Sequence, residues 1–506
     1  MASRSQQVVL YVFIALWVAF MARFWMWWLS SYHADIPVQF AINTALLAWT
    51  TILPSYYLYF LTKMKKVNLE IRIPSGLRVA MVVTKTPHEP FSVVRETLEA
   101  MLTQEYPHDT WLADEEPREE VLRWCGEHDV QVSSRFRVAE YHNPTWPRRT
   151  KCKEGNLAYF YDMYGYDQYD VVVQMDADHR PAAGYLEAML HPFADPAVGY
   201  VSAPSICDAN AKDSWTVRMR LYAEATLHGS LQAGYNDGWA PLCIGSHYAV
   251  RTKALREVGG LGPELAEDHS TTLLMNAFGW RGVHALDAEA HGDGPATFHD
   301  CIIQEYQWSK SLMVVLLKYF PKYGRQLSLK LKFQFLFSEL WYPLFACSMV
   351  LAFLQPVAAL VTRTPWAHVG YIDFLAHSVP PVALLMVVVW WVKRNGWLRP
   401  QNTPILRWEP VLFELARWPW VLLGIVGALW EVVRAKPVEF RITPKGEAVS
   451  RHIPFKTIVP YAFIAGISLL AVIGVQNAGG ARGYYFLLLV NAFLYLLLLG
   501  AVLLKT

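Results

Sequence analysis

The sequence predicts an α/β domain with a mostly parallel sheet, set among helices that cross a membrane. Three observations predict it. Hydrophobic residues make up 54% of the 506 positions and 21 are Trp, too apolar a composition for an ordinary soluble enzyme of this size. The long apolar runs flank a central stretch, about 77–320, and leave it mixed in character. Within that stretch short β-rich runs alternate with helical spacing, the pattern of a strand–loop–helix repeat.

The elements follow in order. Arg4 precedes an apolar run over about 8–29, which is long enough to span and has no small-residue cleavage site, so it is not read as a signal peptide. A second run covers 37–61, and residues 1–66 are read as two transmembrane helices. Two more are expected within 330–393 and two within 455–504. The run 408–433 carries Glu414, Arg417 and several Trp. Lys63, Lys65, Lys66, Arg72 and Arg78 follow the second run, and Lys330 and Lys332 precede the third. Positive charge stays in the cytoplasm, which puts the central domain there. A spanning 408–433 would carry Arg434, Lys436, Arg441, Lys445, Arg451 and Lys456 outside, so 400–433 is read as interfacial and six spans remain. Formal net charge is +2, which gives no general polyanion-binding role and no nucleic-acid partner. The six cysteines form no CxxC pair, so neither a disulfide framework nor a zinc site is expected.

The central stretch carries the chemistry. Val79 to Val83 read as a buried strand, with a polar turn from Thr84 to Glu89 and a helix after it. "YDVVVQMDADHRP" gives a second strand with Asp176 and Asp178 at its carboxyl end, where ligands of such sheets sit. Asp-Ala-Asp has two readings: a turn or helix cap, or oxygen ligands for a divalent cation that bridges to phosphate. Glu267-Asp268 precedes the helical "HSTTLLMNAF", as a favourable helix N-terminus or as a carboxylate base at a pocket edge. Trp308 stands where the soluble stretch meets an amphipathic run, as an interfacial anchor or as a binding residue.

The ordered set Asp114, Asp176-Ala-Asp178, Glu267-Asp268 and Gln304-x-x-Gln307-Trp308 resembles the processive family-2 glycosyltransferases of membranes, the cellulose, curdlan, chitin and hyaluronan synthases. "VEFRITPKG", 438–446, resembles the gating loop of the cellulose type, placed here at 434–453 with Phe440, Thr443 and Lys445. The resemblance implies a GT-A catalytic domain on a helical transmembrane channel. It implies that Asp178 coordinates Mg²⁺ or Mn²⁺, with Asp176 on the nucleotide sugar and the metal. It places Thr86, Glu89 and Asp114 at the nucleoside, Lys153 near the nucleotide, and Gly245 and Ser246 along the donor pocket. Asp268 is implied as the general base beside Glu267. Trp308, with Gln304 and Gln307, is implied at the acceptor.

Two positions depart from the family pattern. Ala266 stands where a threonine is usual, and Gln307 where an arginine meets the pyrophosphate. An amide makes no charge-assisted bond to phosphate, so another cation is expected there, with Lys445 and Lys153 as candidates. The expected function is inverting, processive synthesis of a β-linked polysaccharide, a β-glucan from UDP-glucose first, exported through the protein's own channel. The alternatives are an amino-sugar or uronic-acid polymer (hyaluronan, chitin, alginate), or a non-catalytic membrane assembly subunit. Expected partners are a UDP-sugar donor, the nascent polysaccharide acceptor and the lipid bilayer of an inner or plasma membrane. No fused cyclic-dinucleotide receptor is expected after Thr506, which leaves room for a separate periplasmic or regulatory subunit.

Overall fold

Alternation along one strand sets the architecture. In β1 (Val79–Lys85), Val79, Met81 and Val83 enter one apolar core while Ala80 and Val82 enter another. Successive side chains point to opposite faces, so the strand is buried on both, as a parallel sheet covered by helices requires. A computed structural model describes residues 4–30, 37–150, 152–434 and 453–504 of the protein. The further strands are β2 (Asp109–Asp114), β3 (Val130–Ser133), β4 (Val171–Met175), β5 (Arg180–Pro181), β6 (Val198–Ser202), β7 (Ser205–Ile206), β8 (His247–Arg251), β9 (Arg281–His284) and β10 (Ala290–His291). Seven of them form one sheet in the order β3-β2-β1-β4-β8-β6-β9. Its neighbours are parallel except at β8, which runs against both β4 and β6. A small sheet, β5-β10-β7, stands beside it. The α/β domain with a mostly parallel sheet is therefore present.

Register brings the strand ends together. Lys85 lies opposite Asp114 and Val83 opposite Met175, so the residues following β1, β2 and β4 share one edge. Three local expectations are corrected. Thr84 and Lys85, expected in a turn, continue β1 because Ala113 and Asp114 pair with them. Helical spacing in "AAGYLEAMLHPF" predicts a helix resuming after the Asp-Ala-Asp strand, but the chain first forms β5 and turns at Gly184, with φ +75°, before the helix Tyr185–Leu190 begins. Glu267 and Asp268 are the first turn of the helix Glu267–Ala277 rather than residues before it.

Among the described residues, six helices are long and apolar enough to cross a membrane: Arg4–Trp28, Leu329–Thr362, Tyr371–Arg394, Trp408–Arg434, Phe455–Gly474 and Gly483–Leu504. This set is not the six expected. Pro37–Leu61 is a helix of 25 residues, but Gln39, Asn43 and several Thr and Tyr keep it out of the set. Its Tyr56 and Tyr57 hydroxyls meet Tyr235 and Ser230 at 2.9 and 2.8 Å, which ties its end to the α/β domain. Trp408–Arg434, expected at the interface, meets the length and hydropathy of a span, yet it lies along the helix Phe298–Val314. Gly424 permits that approach: a Cβ there would stand 2.2 Å from Ser309 Oγ and 2.6 Å from the Tyr306 carbonyl oxygen.

Candidate active site

The site grows from the end of β4. Five buried residues carry the chain through the sheet, and the next, Asp176, leaves it. The Asp176 N–H donates to the Ser246 carbonyl at 2.7 Å, so the loop entering β8 is fastened to the end of β4. Lys153, at the start of the helix Lys153–Phe160, reaches the same place. Its ammonium donates to Asp176 Oδ1 at 2.7 Å and to the Gly245 carbonyl at 2.6 Å. Asn156, one turn along, fixes that helix by donating to the Ala113 carbonyl on β2 at 2.9 Å. Burial alone would lower the Lys153 pKa. The carboxylates of Asp176 and Glu267 more than reverse this, so it stays charged.

The helix Glu267–Ala277 aims its first turn at this cluster. The Asp268 carboxylate faces Gly245, where a Cβ would come within 3.2 Å of Oδ2, and accepts the His269 N–H on Oδ1 at 2.8 Å. Burial raises the Asp268 pKa, and that N–H works against the rise. Glu267 is pushed up to about 8, first by burial and then by the charge of Asp268, with Lys153 partly offsetting both. A proton is thus held at Glu267 more readily than at an ordinary glutamate. Ala266, which offers no side-chain cap, donates its N–H to Ser311 Oγ at 2.9 Å. That bond joins the carboxylate helix to Phe298–Val314, the helix of Gln304, Gln307 and Trp308.

Asp178 is buried, its Oδ1 3.2 Å from His179 Nδ1 and its Oδ2 accepting the Asp293 N–H at 3.1 Å. Asp176, Asp178 and His179 present donor atoms all within 4.8 Å of one another. The two carboxylates offer the oxygen ligands that a divalent cation takes, and His179, paired with Asp178, stands beside them. His179 was missed in the sequence, although it adjoins the Asp-Ala-Asp motif. Burial pulls its pKa down, and Asp178 overrides this to bring it up to about 10.

Asp114 is wholly buried at the end of β2 and paired with Lys85, 3.1 Å away. Thr86 donates its N–H to Glu89 Oε2 at 2.8 Å, closing the turn after β1. These three residues occupy the strand-end edge next to Asp176. The buried hydroxyls of Thr86 and Ser246 have no hydrogen-bond partner among the described residues. Trp308 and Gln304 lie one turn apart and share Arg220, whose guanidinium stacks 4.1 Å from the indole and donates to Gln304 Oε1 at 2.8 Å. Gln307 is buried on the same helix. Phe440, Thr443 and Lys445 lie outside the described residues.

With this geometry in place, comparison with known proteins gives consistent results. The model of the family described as glycosyl transferase family group 2 matches residues 171–430. The UDP-forming cellulose synthase 1 catalytic subunit of Komagataeibacter xylinus is 26% identical over 314 residues, covering 59% of this chain and 40% of that protein. The UDP-forming cellulose synthase catalytic subunit of Xanthomonas axonopodis pv. citri is 24% identical over 348 residues, 65% of this chain and 45% of that protein. The match thus takes in less than half the length of either relative. Among solved structures, glucosyl-3-phosphoglycerate synthase from Mycobacterium tuberculosis, bound to Mn²⁺ and UDP, is 13% identical with a TM-score of 0.29 over 44% of this chain and 73% of that one.

Proposed function

The chain belongs to glycosyl transferase family group 2, and from that premise we propose that it polymerises a β-linked polysaccharide by inverting, processive transfer from a UDP-sugar. The observation that carries this reading is the joining of Lys153, Asp176 and Asp268 around Gly245 at the carboxyl edge of the sheet. Glycosyl transfer needs a base on the acceptor hydroxyl, positive charge at the leaving diphosphate and a held acceptor. Asp268 is the base, beside a Glu267 that holds its own proton more readily than an ordinary glutamate. Lys153 sits at the donor end of the cluster. Asp178 and Asp176, with His179 beside them, would hold Mg²⁺ or Mn²⁺, which as a Lewis acid neutralises diphosphate charge when bound. Thr86, Glu89 and Asp114 receive the nucleoside, and Gly245 and Ser246 line the donor sugar. Trp308 offers its indole face to the acceptor sugar beside Gln304 and Gln307.

UDP-glucose is the first donor to test, in line with the UDP-forming cellulose synthase relatives. We place the α/β domain in the cytoplasm and the product's exit among the apolar helices. Trp408–Arg434 fits a position along the membrane surface, because Glu409, Arg417 and Glu431 pair with Arg218, Glu305 and Lys310 at 3.2, 3.7 and 3.3 Å. The test is incubation of purified protein with single labelled sugar nucleotides, followed by linkage-specific hydrolases. A high-molecular-weight product from one UDP-sugar supports the reading. Transfer of a single sugar, or no UDP release from any donor, would overturn it.

A further inference from the structure

Between the candidate cation site and Trp308 stands a cation with no part in the roles above. Arg220 lies near the end of the helix Trp215–Ala223. Its Nε donates to both carboxylate oxygens of Glu224, at 3.1 and 3.0 Å, and its Nη1 to Gln304. Its guanidinium lies 4.1 Å from the Trp308 ring centroid. Among the described residues these bonds use Nε and Nη1, which leaves Nη2 for a further acceptor. Cys207 is within electrostatic reach of Arg220 and 3.8 Å from His179 Nε2, and His179 touches Asp178. Lys310 and Arg417, the other cations near this helix, face Trp408–Arg434 or lie on it, Lys310 paired with Glu431 and Arg417 with Glu305 and Glu414. A guanidinium held on three sides loses little further freedom when it binds, and its planar fork suits phosphate oxygens.

We propose that Arg220 is the guanidinium that meets the donor's diphosphate, oriented for it by Glu224 and by the face of Trp308. The inference rests on the glycosyl-transfer reading and adds to it a residue that no strand-end motif contains. It accounts for an uncharged Gln307 one position before the tryptophan: the positive charge arrives from the neighbouring helix instead.

The test is equilibrium binding to the full-length protein in detergent, with UDP plus Mn²⁺ as one probe and uridine as the other. Arg220→Met should weaken UDP by about tenfold or more, the loss expected for a charge-assisted hydrogen bond, and leave uridine affinity unchanged. Arg220→Lys should recover part of the UDP affinity. Wild-type UDP affinity in Arg220→Met would overturn the proposal. Equal weakening of UDP and uridine would also overturn it, by making Arg220 a support for the pocket wall only. If the wild-type protein binds uridine and UDP equally, the inference fails while a nucleoside site stands. If it binds neither, the glycosyl-transfer reading fails first.

Discussion

His269 Nε2 lies 2.8 Å from Glu339 Oε1, an ion pair that joins the helix beginning at Glu267 to the first third of the long apolar helix Leu329–Thr362. Both groups are buried. The residue after the proposed base is therefore anchored to the membrane-side helix, and the pair holds the Asp268 turn in place.

Removing that carboxylate should show as a pH-dependent loss of stability. Burial pulls the His269 pKa down, and Glu339 more than reverses this. A histidine raised on folding contributes fully below its unfolded value, about 6.5, and the contribution is lost as pH rises through the folded value. Glu339→Gln should melt lower than wild type at pH 6, with the gap narrowing as pH rises. Thermal unfolding in detergent from pH 5.5 to 9 measures it. A gap that widens with pH would contradict the pairing.

Asp268 and Glu267 should separate cleanly by mutation. Asp268→Asn should lose about a hundredfold or more in turnover, as removal of a general base does, with UDP affinity retained. Glu267, raised to about 8, is protonated at neutral pH, so Glu267→Gln resembles the state already present. It should stay near wild-type turnover at pH 7. Above pH 8 the wild type gains a second charge beside Asp268, and its rate should change there while that of Glu267→Gln does not. The pH–rate profiles of the three proteins decide this.

Chelation should abolish polymerisation, and Mg²⁺ or Mn²⁺ should restore it. Asp178→Ala should lose the metal-dependent part of UDP binding, because a cation that bridges carboxylate and phosphate needs its buried ligand. Titration calorimetry with and without EDTA reads this directly. Full activity in chelator would return Asp-Ala-Asp to a structural role.

Gly424→Ala should destabilise the join between the α/β domain and Trp408–Arg434. Its Cβ would overlap Ser309 Oγ and the Tyr306 carbonyl oxygen. Such overpacking costs roughly 1–3 kcal/mol. A lowered melting temperature is expected, and an unchanged one would mean that the two helices separate freely.

The segment after Arg434 tests topology. A single Ala448→Cys, in a background without other reactive thiols, should resist membrane-impermeant reagents applied to intact cells. Efficient labelling from outside would make 408–434 a true span.

Much of the site was legible because its signals are local. Asp176 and Asp178 stand out because a fully apolar strand ends at Met175. Glu267 and Asp268 stand out because a helical period begins beside them. Hydropathy located the apolar helices for the same reason. The helices that meet the length and mean hydropathy of a span leave out Pro37–Leu61 and take in Trp408–Arg434, which its flanking charges had placed at the interface. The ion pairs of Glu409, Arg417 and Glu431 are facts about neighbours in space.

What the sequence determined by itself was the alternation of apolar and polar residues, hence a sheet buried on both faces, its carboxylates at the strand ends and the apolar helices around it. These follow from periodicity and chain direction, which need no knowledge of distant residues. Only the tertiary structure decided which charges meet: Lys153 with Asp176, His269 with Glu339, and Arg220 with Glu224 and the Trp308 ring. A buried charge needs a partner, but any of several dozen opposite charges would satisfy that need on paper. The choice is made by the closing of helices onto the sheet, which sets His269 and Glu339, 70 positions apart, within one hydrogen-bond length.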